Sequence, residues 1–320
     1  MNQIDLEAAS AAAPKFSDPD ITAKGERRAQ VRLRRLETLW VNTGTLCNIE
    51  CDHCYIESSP RNDRLVYFPL ADLQTYLAEI RAAKLPVKLI GFTGGEPFMN
   101  PDMLAMADRA LADGYDCLIL TNAMQPMLRP AVRQGLADLA LRYGNRLALR
   151  VSLDHYRAAE HDLERGAGSF AKALEGLRWI SRTGIAFSVA GRTCWPEDDG
   201  SLRAGFARLF EEQGIGLDAL DPSALLLFPE MDTGADVPEI TVDCWGILNV
   251  DPDSLMCATG RMVVRRKGDD GPRVVACTLL PYEPAFELGR TLSDAAGSVH
   301  LNHPHCAKFC VLGGGSCTGN

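Results

Sequence analysis

From residue 36 onward, short runs of β-forming residues are separated by stretches in which apolar residues return every three or four positions. The runs are LETLWVNT (36–43), VKLIGFT (87–93), DCLILT (116–121), RLALRVSL (146–153), IAFSVAGR (185–192) and SALLLFP (223–229). The helical stretches lie near 69–84, 101–113, 127–142, 169–183 and 199–213. This alternation predicts an α/β fold with a parallel sheet of βαβ units. Such sheets carry their chemistry on loops at the C-terminal ends of the strands. After residue 230 the rhythm stops, MDTGADVPE (231–239) reads as a linker, and the remainder is short, cysteine-rich and Gly-containing. The expected organisation is an Ala-rich extension with a helical part (1–35), a core (36–235) and a small C-terminal domain (236–320).

Composition narrows the function classes. The formal charge of −9 disfavours a phosphate-backbone partner, so no nucleic acid is expected. The basic run RRAQVRLRR (27–35) sits beside acidic residues and reads as a solvated face. No apolar run of about eighteen residues predicts a membrane span, and no basic-then-apolar N-terminal signal is seen. The expected compartment is therefore the cytoplasm, where cysteines read as metal ligands or catalytic thiols before disulfides. Of eleven cysteines, three fall within residues 47–54 and five more at 257, 277, 306, 310 and 317. Cys117, in an apolar run, reads as a buried small hydrophobe, Cys194 as a loop residue, and Cys244 is ambiguous.

The loop TLCNIECDHCYIES (45–58) has the spacing C-x3-C-x2-C through Cys47, Cys51 and Cys54. A structural zinc site with a fourth ligand from elsewhere is one reading, although zinc ligands usually come in paired units. His53, wedged between two cysteines, would have to fold back to reach the same metal. Three thiolates in one run better suit a [4Fe–4S] cluster whose fourth iron has no protein ligand. With Tyr55 following, and with its place after the first strand, the loop resembles the signature of radical S-adenosylmethionine enzymes. That resemblance implies a partial (β/α)6 TIM-like barrel. It also implies that S-adenosylmethionine chelates the open iron and that one low-potential electron cleaves its sulfonium to methionine and a 5′-deoxyadenosyl radical.

TGGEP (93–97), after the second run, suits an ordinary strand-to-helix turn and also resembles the family's GGE motif through Gly94, Gly95 and Glu96. By that resemblance the glycines let backbone approach the ligand and the carboxylate side faces the methionine ammonium. TNA (121–123) and SLD (152–154) are weak signals alone. The resemblance makes Asn122, Ser152 and Asp154 candidates for the ribose hydroxyls and the methionine carboxylate, and Arg192 a candidate cation for that carboxylate, with a surface salt bridge as its alternative.

Residues 255–282 read as a hairpin around KGDDG, with Cys257 before it and Cys277 ending it, followed by ELGRTLSDA (287–295) and HCAKFCVLGGGSC (305–317). The order resembles the SPASM/twitch extension of radical S-adenosylmethionine enzymes. It implies one auxiliary [4Fe–4S] cluster with ligands among Cys257, Cys277, Cys306, Cys310 and Cys317, one of them spare, and Cys244 a further possibility. The segment's C-x3-C-x6-C spacing departs from the SPASM pattern, and a zinc ribbon remains the alternative, since cysteine spacing alone does not separate the metals. Of the histidines in VHLNHPHC (299–306), His305 is a weak candidate ligand, and His300 and His303 read as surface.

The functional expectation is hydrogen abstraction from a substrate, with net oxidation of a small metabolite assisted by the auxiliary cluster. The resemblance also implies a flavodoxin- or ferredoxin-type reductant. A peptide- or protein-modifying maturase is the second reading, and a non-catalytic iron–sulfur electron carrier or scaffold the third.

Overall fold

The computed structural model describes residues 13–230 and 234–315. Six parallel strands follow in chain order: β1 (Thr38–Asn42), β2 (Leu89–Thr93), β3 (Asp116–Thr121), β4 (Leu147–Ser152), β5 (Ala186–Arg192) and β6 (Leu225–Phe228). On the other side of β1 lies β7 (Gly260–Val264), parallel to it with Leu39 opposite Arg261. Antiparallel β8 (Arg273–Val275) and β9 (Glu287–Gly289) complete the expected hairpin and extend it. The sheet order is β9-β8-β7-β1-β2-β3-β4-β5-β6, an open arrangement with β6 and β9 as its edges. The barrel is therefore partial.

Side-chain alternation divides the sheet into two faces. Leu39, Val41, Cys117 and Ile119 join the large core under the helices, whereas Trp40 and Leu118 join a smaller inner cluster with Met256, Met262 and Val264. The covering helices are α1 (Leu70–Ala82), α2 (Met103–Ala112), α3 (Pro130–Tyr143), α4 (Ala158–Arg165), α5 (Ser169–Ser181) and α6 (Asp199–Gln213). On α1 the buried residues are Leu73, Tyr76, Leu77 and Ile80, the i, i+3, i+4, i+7 stripe of an amphipathic helix. Burying each such side chain contributes about 1.5–3 kcal/mol. Helix α6 is punctuated at both ends: Ser201 N–H donates to the Asp198 side chain at 2.8 Å, and Gly214 closes it at φ 63°.

Two regions differ from the sequence expectation. Helix α4 was not anticipated; the residues it buries are His161 and Glu164, so it carries no apolar stripe. The N-terminal extension contains no helix over residues 13–35. It is an arm lying on the C-terminal part: Gln30–Val31 pairs antiparallel with Val299–His300, and buried Arg28 meets Glu239 at 2.6 Å. The helical part expected there arose from Ala-rich composition, whose densest portion falls among residues 1–12, outside the described residues.

Candidate active site

The cysteine loop leaves the C-terminal end of β1 and has little regular structure, so its shape depends on anchors. Cys47 N–H donates to Ser59 O at 3.1 Å, Asp52 N–H to Glu164 O at 2.9 Å, and Ser58 N–H to the Cys54 sulfur at 3.3 Å. The Tyr282 hydroxyl, from the segment after the hairpin, donates to Ile56 O at 2.9 Å. Burial pushes the Cys47 thiol up to about 12 and the Cys51 thiol up to about 11. Metal binding would reverse that preference, because the thiolate is the ligand form.

The Gly94–Gly95–Glu96 turn ends β2 beside this loop. Gly95 N–H donates to Gly44 O at 2.8 Å and Glu96 N–H to Leu46 O at 3.1 Å. A Cβ on Gly95 would overlap the Leu46 carbonyl, and one on Gly94 (φ +141°) would lie 2.5 Å from Gly44 O. The glycines thus permit backbone contact with the cysteine loop itself, as well as opening one edge of the turn to the cavity. The Glu96 side chain is 2% exposed and is held by the end of β3. It accepts from the Thr121 hydroxyl at 2.8 Å, Asn122 N–H at 2.9 Å and Phe98 N–H at 3.3 Å. Burial raises its pKa to about 7 against those donors. Glu96 accordingly braces the end of β3.

Polar strand-end residues form the opposite wall. Asn122 Nδ2 donates to Asn48 Oδ1 at 2.9 Å and lies 3.8 Å from the Cys47 sulfur. Asp154 is buried and takes two hydrogen bonds from Arg165, the last residue of α4. Burial would raise the Asp154 pKa, but the Arg165 charge and hydrogen bonds, with Arg192, bring it below its ordinary value. Arg192 pairs with Glu164 at 2.5 Å and with Glu230 at 2.7 Å, so it is already held by carboxylates. His53 Nδ1 stands 2.9 Å from Glu164 Oε2.

These parts surround one solvent-open cavity of about 200 Å³. Cys47, Cys51, Cys54, Tyr55, Gly94, Gly95, Asn122, Ser152, Asp154 and Arg192 all line it, and so do Arg150 and Arg165, which sequence reasoning missed. The signal for Arg165 was a basic residue directly before Gly166, which closes α4 at φ 92°. Phe228, Pro229, Leu279 and Phe309 supply an apolar side from β6 and the C-terminal part. Among the described residues no three His, Cys, Asp or Glu side chains converge closely enough to hold one metal ion.

The second cysteine group lies behind that apolar side. Cys257 and Cys306 are buried in a separate core with Cys244, Cys277 and Cys310 packed against it. Burial raises the Cys257 thiol to about 11, and burial together with Cys277 and Cys257 drives Cys306 well above its ordinary value. Cys306 and Cys310 share a helical turn (Cys306–Leu312) with Phe309, whose ring lies 5.6 Å from that of Phe228. The Cys244 sulfur accepts from Thr241 N–H at 3.3 Å. Cys317 lies outside the described residues. His305 is buried beside Cys306, with its ring 4.7 Å from that of His303, which is half-buried rather than on the surface.

Comparison with known proteins fits this geometry. A family profile described as the Radical SAM superfamily matches residues 41–204, a span running from β1 into α6. Among curated proteins, the chain is 29% identical over 171 residues to mycofactocin maturase MftC of Mycobacterium ulcerans, 53% of this chain and 43% of that one. It is 29% identical over 161 residues to the subtilosin biosynthesis protein AlbA of Bacillus subtilis, 48% of this chain and 33% of that one. It is 29% identical over 182 residues to pre-heme d1 synthase of Dinoroseobacter shibae, 55% of this chain and 41% of that one. The matches thus span less than half the length of these relatives. In fold, the chain is similar to Streptococcus suis SuiB bound to S-adenosylmethionine, with TM-score 0.56, 12% identity, and 80% and 63% of the two chains covered. Native anSMEcpe with bound AdoMet gives TM-score 0.57 and 12% identity over 81% and 79% of the two chains. No helix among the described residues is long and apolar enough to cross a membrane.

Proposed function

Since the chain belongs to the radical SAM superfamily, we propose that Cys47, Cys51 and Cys54 hold a [4Fe–4S] cluster and that the adjoining cavity takes S-adenosylmethionine and a substrate. The carrying observation is convergence: three thiols, the Gly94–Gly95 edge and Asn122 meet in one cavity with the cationic Arg165. When bound, the cluster and S-adenosylmethionine supply reductive cleavage of the sulfonium and abstraction of a substrate hydrogen atom. The chain's own groups bind and exclude. Backbone at Gly94 and Gly95, the Ser152 hydroxyl and the Arg165 guanidinium present donors and acceptors to the cofactor, and Phe228, Leu279 and Phe309 keep water from the reacting centre. The direct test is anaerobic reconstitution with S-adenosylmethionine and a reductant. The chain should release 5′-deoxyadenosine and Cys51→Ala should not; release by the variant would overturn the assignment.

Cys257, Cys277, Cys306 and Cys310 would hold an auxiliary [4Fe–4S] cluster, because two buried thiols and two half-buried ones gather at one core whose Phe309 and Leu279 reach the cavity. About eight irons per chain are expected, against about four with one cluster. A nearby second cluster suits one-electron oxidation of a substrate radical, hence net two-electron oxidation of a small molecule. A specific observation favours a second reading, modification of a peptide: MftC is named a maturase, and AlbA takes part in bacteriocin biosynthesis. Conversion of a small peptide encoded beside the gene, read as a mass change, would select the peptide reading. A purely electron-carrying role leaves the cavity and its Gly94–Gly95 edge unexplained.

A further inference from the structure

Arg261, at the second position of β7, is 1% exposed and carries its charge in an unusual setting. Its Nε donates to Ala295 O at 2.9 Å, Nη1 to Cys257 O at 2.6 Å and Gly260 O at 2.8 Å, and Nη2 to Gly297 O at 2.9 Å. All four acceptors are main-chain carbonyls. They satisfy four of the five N–H donors but leave the charge uncompensated, and no carboxylate among the described residues forms an ion pair with it. Arg28, the other arginine with almost no exposed surface, is treated differently: it has Glu239 at 2.6 Å. A buried ion without a counter-charge is costly. The guanidinium grips the main chain of Cys257 itself, and Cys257 shares one core with Cys277 and Cys306.

We propose that Arg261 is the internal counter-charge of the iron–sulfur cluster held by Cys257, Cys277 and Cys306, and that it sets that cluster's reduction potential. The inference rests on the auxiliary-cluster reading above. A cubane held by thiolates is anionic and gains one further negative charge when a reductant delivers an electron, so a fixed neighbouring cation favours the reduced state. Net charge and hydrogen bonding around the sulfurs are the protein's established levers on such potentials. Arg261 is a positioning and tuning residue; it does not touch the cavity where substrate would lie.

The test uses the reconstituted full chain carrying Cys51→Ala, so that the auxiliary cluster alone contributes the reduced-state paramagnetic signal, titrated with dithionite. Arg261→Gln should lower the equilibrium constant for reduction by at least about tenfold, a shift of about 59 mV for one electron. Arg261→Lys, which keeps the charge and loses the fork, should stay within about threefold of the parent. An unchanged potential in Arg261→Gln with iron retained overturns the proposal, as does a Lys variant shifted as far as the Gln variant. If the Gln variant does not retain iron, thermal melting of the iron-free chains decides. A stranded cation predicts that iron-free Arg261→Gln is at least as stable as the iron-free parent, whereas a purely structural clamp predicts a clear loss. Absence of iron from the Cys51→Ala parent would instead refute the auxiliary cluster itself, an outcome distinct from any Arg261 result.

Discussion

Arg165 donates to both carboxylate oxygens of Asp154, at 2.7 and 2.9 Å, from the last turn of a helix that also holds the cysteine loop through Glu164. The pair joins the end of β4 to α4 and places a guanidinium on the cavity wall near Cys51 and Cys54. Replacing Asp154 by Asn leaves that largely covered cation without its counter-charge. The expected cost is about 3–5 kcal/mol in chemical denaturation. Because folding lowers the Asp154 pKa, its contribution is complete above the unfolded carboxylate range and is lost as pH falls through the folded value. The Asn variant should therefore show a smaller acid-side loss of stability than the parent.

Glu96 has the opposite linkage. Burial raises its folded pKa to about 7, so the folded chain holds a proton that the unfolded chain releases between about 4.5 and 7. Its contribution to stability falls as pH rises through that window, by on the order of 3 kcal/mol. Glu96→Gln should flatten the stability profile between pH 4.5 and 7. An equal slope in parent and variant would show that Glu96 is ionised throughout.

Gly95→Ala places a methyl group against the Leu46 carbonyl, at the root of the cysteine loop. Displacement of that loop should remove one cluster, leaving about four of about eight irons per chain, and should abolish release of 5′-deoxyadenosine. The auxiliary cysteines lie in another core, so their iron should remain.

Arg28→Met strands the Glu239 carboxylate, which also accepts from Phe16 N–H and Ala23 N–H at 2.7 Å. A loss of about 3–5 kcal/mol is expected. Earlier proteolysis within residues 13–31 would mark the arm as the part released.

Much of the sheet was legible because its signals are local. DCLILT forms β3 over the same six residues, and IAFSVAGR loses only its first residue in β5. The cysteine loop, the GGE turn and Asn122 were legible as motifs at strand ends, and they meet in one cavity. The Glu96 carboxylate illustrates the limit: its residue type was legible, but its direction depends on Thr121 and Asn122, whose placement only the fold supplies. Helix α4 escaped because AAEHDLER buries a histidine and a glutamate, leaving no apolar period to detect. Arg165 was lost with it. Arg261 sat in a β-rich run where a charged residue reads as solvent-facing, and two of its four carbonyl partners, Ala295 and Gly297, come from more than thirty residues away.

The arm has a bearing on how the molecule is made. Gln30 pairs with His300, and Arg28 with Glu239, so the arm leaves a ribosome well before the residues that it pairs with. At roughly 5–20 residues per second, the intervening chain takes on the order of ten to fifty seconds to appear. Until the C-terminal part appears, Ala29 and Val31, fully buried in the folded protein, lack the residues that cover them. The core can assemble from its sequential βα units while translation proceeds, and the arm closes over the auxiliary-cysteine core only once Val299 and His300 have followed.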